Sequence, residues 1–307
     1  MPNTLAHMGL HTLVTRGAIR GAEPAWIWVG CILPDVPWIG QRLIRALLLD
    51  LSPFDVRLYA IVQSSLLFCL VAAAGLAMLA PRPGRVLAIL ALGSLLHLLL
   101  DATQTKWANG VVLFAPVDWS VTNFGLYWPE DWPSLALTAW GAATAAWMLW
   151  RHPPGAGPPG PPVPPGPRRP RLRVAGTLAL AAYLALPLAF LGPAAADDPH
   201  YVNTLRQTGD RANRCAAFDR AQVLARPGEQ PVLATWTGEF LPIIGIVPPN
   251  ETMLASVKGC FETNGELAID LLHLHPAHRR DLLSYAGLGF VSIWLVFSGL
   301  ASVRRRD

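Results

Sequence analysis

Five apolar stretches, each near the roughly 20 residues a helix needs to cross a hydrocarbon layer, limit what this chain can fold into. They cover 58–80 (LYAIVQSSLLFCLVAAAGLAMLA), 86–103, 134–150 (SLALTAWGAATAAWMLW), 174–196 (VAGTLALAAYLALPLAFLGPAAA) and 282–302 (LLSYAGLGFVSIWLVFSGLAS). Hydrophobic residues make up 52% of the 307 and charged residues 14%, well under the roughly 25% charged of ordinary globular chains. Mean hydropathy is +0.36. The expected fold class is a mainly α integral membrane protein of about five transmembrane helices. N-terminal interfacial or re-entrant helices and a small extracytoplasmic β-rich domain complete it. Residues 1–25 lack the basic start and compact apolar core of a signal peptide, so the N-terminus is expected to be retained. No basic patch is interleaved with aromatics, so no nucleic-acid partner is expected.

The arginines orient the spans. Arg82 and Arg85 separate the first two; Arg151, Arg168, Arg169, Arg171 and Arg173 separate the third and fourth; Arg304, Arg305 and Arg306 follow the fifth. One orientation places all three groups, and hence the C-terminus, in the cytoplasm. Residues 104–133, 197–281 and 1–56 then fall outside. The last of these is apolar but broken. "TLAHMGLHTLVTRGAIRG" reads as an amphipathic helix ended by Gly21 to Pro24. "AWIWVGCILPDVPWIG" is interrupted by Pro34 and Pro37, and "QRLIRALLLDL" is again amphipathic. Interfacial or re-entrant helices are expected, with a sixth span over 25–50 as the alternative.

Composition then divides the chain. Residues 1–150 form a membrane-embedded module, and 151–173 a Pro/Gly/Arg-rich cytoplasmic linker whose density of proline favours extended polyproline II. A transmembrane helix at 174–196 leads into the outer domain, 197–281, and residues 282–307 form the last helix with its basic tail. In the outer domain "RAQVLAR", "PVLATWTGEF", "TMLASVKGCFE" and "GELAIDLLHLHP" alternate like strands, and "TNGE" reads as a hairpin turn. A small barrel or sandwich, OB-like in outline, is expected. Cys215 and Cys260 offer a disulfide there, whereas Cys31 and Cys69 lie in apolar helices as packed thiols. His273, His275 and His278 invite a metal reading. An exposed strand end is favoured instead, because no acidic or cysteine partner has matching spacing.

The chemistry concentrates in the first module. His97 and Asp101 stand four residues apart in an apolar helix, hence on one face. Ionisable side chains at such depth are costly and point to function, although a pair that merely fixes two helices is the plain alternative. "AHMGLH" adds His7 and His11, again four apart, and "LPDVPW" places Asp35 at a helix break. Imidazole and carboxylate ligands suit zinc or another divalent transition metal. Asp55 and Arg57 lie just upstream of Gln63-Ser64-Ser65 and offer groups to orient a ligand or hold a phosphate. The aromatic set in "KWANG" and "VDWSVTNFGLYWPEDWP" reads as an interfacial belt that can also wall a lipid cleft.

The order of these elements, an N-terminal His, then L-P-D, then H-x-x-x-D ending an apolar helix, followed by "NGVVLFAPVDW", resembles a known family. It is similar to the membrane-bound, metal-dependent hydrolase-like inner-membrane proteins of the YdjM type, over about residues 1–150. The resemblance implies a multi-pass protein of the bacterial inner membrane holding a divalent ion, zinc foremost, through His7 or His11, Asp35, His97 and Asp101. For a hydrolase the expected catalytic parts are Asp101 or Asp35 taking the proton of a metal-activated water and Arg57 holding a phosphate, with Gln63 able to hydrogen-bond a water or substrate. Gln63-Ser64-Ser65 stands where family members commonly carry Thr-His-Ser. The expected activity is hydrolysis of a phospholipid or lipid-linked phosphoester at the outer face. The alternative is a non-catalytic scaffold or regulator whose outer domain binds a protein partner. Transport is disfavoured, since neither internal repeats nor paired broken helices are evident.

Overall fold

Prolines set several helix starts, because a first-turn residue needs no backbone N–H donor. A computed structural model describes residues 4–47, 50–151, 169–226, 228–246, 252–276 and 279–303. Most of the expected 151–173 linker, Pro248 and Pro249, His278, and Arg304 to Arg306 lie outside the described residues. The N-terminal helices are α1 (Thr4–Ala18), α2 (Pro24–Ile32) and α3 (Val36–Leu47), with a 3₁₀ turn, Leu33–Asp35, between the last two. Then come α4 (Pro53–Gln63), α5 (Leu66–Leu79), α6 (Pro83–Thr103) and α7 (Trp132–Arg151). Pro24, Pro53 and Pro83 each stand in the first turn of their helix, and the Ser52 hydroxyl accepts from the Asp55 amide to cap α4. Helix α8 (Arg169–Ala185) continues through a 3₁₀ segment into α9 (Leu191–Ala196), and the short α10 (Val202–Arg206) leads to the strands. Helix α11 (Arg279–Val303) follows them.

The expectation of five transmembrane helices is corrected. Two described helical stretches are long and apolar enough to cross a membrane, Pro83–Thr103 and Pro170–Ala196, and a third arises only if a bent pair counts as one span. That pair is α4 and α5, which meet at 66°. The break has a cause: the Leu66 amide donates to the Val112 carbonyl at 3.1 Å, so the 104–131 loop takes a backbone group that a continuous helix would have used. Non-helical backbone at such a place is tolerated where it is buried in protein, and Ser64 and Ser65 are buried. Over 134–150, tryptophan, threonine and glycine dilute the apolar content of α7. In α11 the described apolar run is the shorter Leu282–Phe297. Residues 25–50 do not provide a sixth span, because α2 and α3 have 9 and 12 residues and the chain turns between them.

Small residues bring the helices close. A Cβ on Gly141 of α7 would stand 1.8 Å from the Leu5 carbonyl oxygen of α1, and one on Gly93 of α6 would stand 3.0 Å from the Gly30 backbone of α2. Both contacts are near-touching backbone crossings of the small-residue kind. They carry α1 and α2 against the two helices that anchor the module.

The strands form a closed barrel of β1 (Cys215–Leu224), β2 (Val232–Ala234), β3 (Phe240–Gly245), β4 (Met253–Phe261) and β5 (Leu267–His275), in the order β1-β2-β3-β5-β4. All neighbours are antiparallel except β3 and β5. Five strands closed in this way place it in the architecture class that includes the OB-fold. "PVLATWTGEF" is split by a turn into β2 and the start of β3, and β1 begins at Cys215, ahead of the expected strand. "TNGE" is the β4–β5 hairpin, with Gly265 at φ 85. Cys215 and Cys260 are cross-strand partners and are disulfide-bonded, while Cys31 and Cys69 are buried and free. Phe218, Val223, Leu233, Val257, Phe261 and Leu267 fill the core, and Leu205 of α10 closes it. The barrel rests on the helices through Phe54 against Trp236 and through an ion pair of Arg206 with Asp55.

Gly141→Ala is expected to force α1 away from α7 and destabilise the protein by about 1–3 kcal/mol. Gly17→Ala, where a Cβ meets nothing within 4 Å, should leave it unchanged. Thermal melts of the detergent-solubilised variants make the comparison.

Candidate metal centre

The α1–α7 and α2–α6 crossings decide which side chains meet. On α1, His7 and His11 lie one turn apart; on α6, so do His97 and Asp101. The proline-containing turn between α2 and α3 supplies Asp35. The structure brings all five together. His7 and His97 stack with ring centroids 3.9 Å apart, and His11 stands edge-on to both. Each of the three imidazoles offers a nitrogen within 4.8 Å of the others. His7 Nε2 lies 3.2 Å from Asp101 Oδ1, and His97 Nε2 lies 3.4 Å from Asp35 Oδ1.

Hydrogen bonding gives the cluster its chemical sense. His97 Nδ1–H donates to the Cys31 carbonyl at 2.6 Å, which leaves Nε2 of the neutral ring as a lone pair. That lone pair faces a carboxylate oxygen, and two acceptors sit at this distance only with a proton or a metal cation between them. A backbone carbonyl behind the outer nitrogen is also the usual way to orient a ligating imidazole. Moreover, both nitrogens of His11 and Nδ1 of His7 are buried without a hydrogen-bond partner. Buried polar atoms are normally satisfied, so such orphans call for an explanation. A divalent ion on the imidazole nitrogens, with Asp35 and Asp101 in reach, satisfies donor chemistry, burial and charge together. The residues present fit such an ion.

The surroundings are basic. A cavity of about 210 Å³ opens on Asp35, His97 and Asp101 and is walled by Trp38, Arg42, Arg45 and Arg57. Arg57 lies over the rings of Trp236 and Trp38, at 4.7 and 5.4 Å, and donates to His200 Nδ1 at 3.1 Å, while its Nε is buried without a partner. Arg57, expected to hold a phosphate, lines the same cavity as Asp35, His97 and Asp101. Gln63 is different: its amide donates to Tyr59 and to the Tyr183 carbonyl at 3.1 and 3.2 Å, and it is not among the residues that line this cavity. Asp55 is engaged by Arg206. Of Gln63-Ser64-Ser65, Ser64 is the member at the cavity wall.

Lys106 was missed. It is 4% exposed, and its Nζ lies 3.3 Å from Asp101 Oδ2. A signal existed, since Lys106 is one of only two lysines in the chain and sits five residues beyond Asp101, but a loop residue has no helical phase to aim it. Arg42 and Arg45 were missed as well, read only as the polar side of an amphipathic helix. His273 and His275, read as an exposed strand end, instead meet Glu130 at a separate place.

No family model, curated protein or solved structure matches the chain.

His200, beside Arg57, adds a pH dependence. Burial first, and the neighbouring Arg57 charge second, push its imidazole well below the ordinary value. The unfolded chain therefore takes up a proton that the folded one refuses. Stability should be fully present above about pH 6.5 and fall as the pH drops from there toward the depressed value. His200→Gln should flatten that acid slope in urea or thermal unfolding between neutral and mildly acidic pH.

Proposed function

We propose that the protein is a membrane-bound, metal-dependent hydrolase that cleaves a phosphoester carried by a lipid. The carrying observation is a cluster of three imidazoles that opens, through His97 together with Asp35 and Asp101, on a cavity whose other wall is arginine. The resemblance of residues 1–150 to the hydrolase-like inner-membrane proteins supports the same reading. His7, His11, His97 and Asp101 would hold the ion, and Asp35 stands beside it. A divalent ion bound there supplies electrophilic charge and a water that is nucleophilic near neutral pH.

The chain's own residues account for the rest. Arg57, with Arg42 and Arg45, holds the phosphate oxygens and fixes the phosphorus against the cluster. Asp35, at the cavity wall, receives the proton of the attacking water. Hydrolysis would form a phosphorus–oxygen bond from water and break the bond to the leaving alcohol, which would take its proton from solvent. Lys106 and His7 bind the two oxygens of Asp101 and hold that carboxylate in place.

Placement supports a lipid substrate at the outer face. Arg82 and Arg85 stand at the start of α6 and the site at its far end, so the positive-inside rule directs the site outward. The barrel lies at the same end as the site. Zinc is the ion we favour, and the bacterial inner membrane the location.

Elemental mass spectrometry of the detergent-purified protein should find a divalent metal that a His97→Ala, Asp101→Ala double variant loses. Asp35→Asn should insert normally yet lose roughly 10²–10⁴-fold in turnover of a lipid phosphoester. A metal-free native protein that remains so after adding divalent ions would end this reading. A cysteine at position 108 should label with an impermeant thiol reagent from outside intact cells. Labelling only after lysis would put the site in the cytoplasm.

A further inference from the structure

A second group of potential ligands lies where the barrel meets the loop that follows α6. His273 and His275, two apart on β5, project from the same face of the strand. Glu130 reaches them from the loop. Its Oε1 lies 2.8 Å from His273 Nε2 and 2.7 Å from His275 Nδ1. One atom from each of the three residues falls within 4.8 Å of the others. His275 is buried and the other two are half-buried. Trp128 covers the group, stacked on the His273 ring at 3.7 Å with planes 1° apart.

Proton accounting on the far side of His275 sharpens the case. The Ser256 hydroxyl donates to Asp219 Oδ1 at 3.2 Å and accepts the Arg220 amide at 3.1 Å. With that hydrogen on Asp219, the hydroxyl accepts again at 2.8 Å from His275 Nε2, an arrangement in which His275 carries its proton on Nε2. The neutral ring then turns an Nδ1 lone pair on the Glu130 carboxylate, 2.7 Å away. In that tautomer a second proton or a metal cation lies between them. A hydroxyl held by a carboxylate behind the outer nitrogen is a second shell of the kind that orients a ligating imidazole. The β-bulge between Phe218 and Ala221 builds it, because the bulge turns Asp219 toward Ser256 and brings Arg220 to 3.8 Å from Glu130 Oε2. That oxygen is buried with no hydrogen-bond partner.

We infer that Glu130, His273 and His275 form a divalent-metal site, distinct from the centre in the helices, that pins the barrel to the 104–131 loop. Two imidazoles and a carboxylate are a zinc-type donor set, leaving one position for water. A tetrahedral ion with bonds of about 2.0–2.1 Å holds its ligand atoms roughly 3.3 Å apart, so the three residues need open only slightly to admit it. The ligands come from both sides of the contact between barrel and loop, so binding makes that contact part of the folding free energy. The inference stands without the hydrolase reading.

The test is titration of chelator-stripped, full-length protein in detergent with zinc or cobalt(II), comparing the native chain with His273→Gln, His275→Gln. The variant should take up one equivalent fewer, whatever the helical centre binds. Zinc should protect the 104–131 loop of the native protein from protease and not that of the variant. Equal uptake by the two proteins overturns the site while leaving the helical centre untouched. Should the double variant fail to fold, Glu130→Gln replaces it under the same criterion. Ser256→Ala, which keeps all three ligands, should weaken zinc roughly 10–100-fold.

Discussion

The hydrogen bond from His97 to the Cys31 carbonyl ties the membrane module together, because it joins α6, the chain's most regular apolar helix, to α2 at the last turn before the L-P-D break. It forms only because Gly30 and Gly93 let the two backbones nearly touch. A bulkier pair would push α2 outward and carry the carbonyl out of reach. With α2 held there, the 3₁₀ turn that follows has nowhere to aim Asp35 except at the free side of the same imidazole. The bond therefore orients the ring, and the ring's other nitrogen sets where a cation would go. The opposite wall depends on α1 in the same way, since the Gly141 crossing brings His7 and His11 within reach of α6.

The 104–131 loop is the second organising element. It ends the α4 helix through the Val112 carbonyl, supplies Lys106 to Asp101, lines the arginine cavity through Asn109 and Gly110, and presents Glu130 to the barrel. A segment making four such connections cannot shift locally without disturbing all of them. The barrel, seated on this loop and on α4 through Phe54 and Trp236, covers the site's approach. A second cavity of about 620 Å³ lies beyond Lys106 and His200 and reaches the barrel at Lys258.

Residues with a helical phase or a proline beside them could be placed from sequence. Spacing of four put His7 with His11 and His97 with Asp101 on common faces, the L-P-D break isolated Asp35, and these five side chains do converge. Alternation and a hairpin turn exposed the barrel strands. What failed lacked such a local signal. The kink at Ser64-Ser65 depends on a carbonyl from residue 112, far away in sequence, so hydropathy alone runs straight through 58–80. Gln63 was assigned by analogy of position, but its direction was fixed by the kink, which turns it toward Tyr59 and Tyr183. His273 and His275 were set aside for want of a partner of matching spacing. Their partner, Glu130, is separated from them by four helices and most of a barrel, a pairing that only tertiary structure reveals.

Charge in the helical centre narrows what could occupy the cavity. Asp35 and Asp101 supply two negative charges; Lys106, Arg42, Arg45 and Arg57 supply four positive ones around the same space. The balance is two positive before any metal is added, and a divalent ion raises it further. Buried cations are costly unless paired; Arg57 and Arg45 are half-buried and Arg42 exposed, and Arg57 has the His200 imidazole, two aromatic faces and the Asp219 carboxylate near it. A neutral amide or sugar would leave that excess unanswered. A phosphate ester, with oxygens shaped for guanidinium forks, would neutralise it while presenting phosphorus to the histidines. The same excess argues against a purely structural helix lock, since two carboxylates and three imidazoles would have needed no arginine wall.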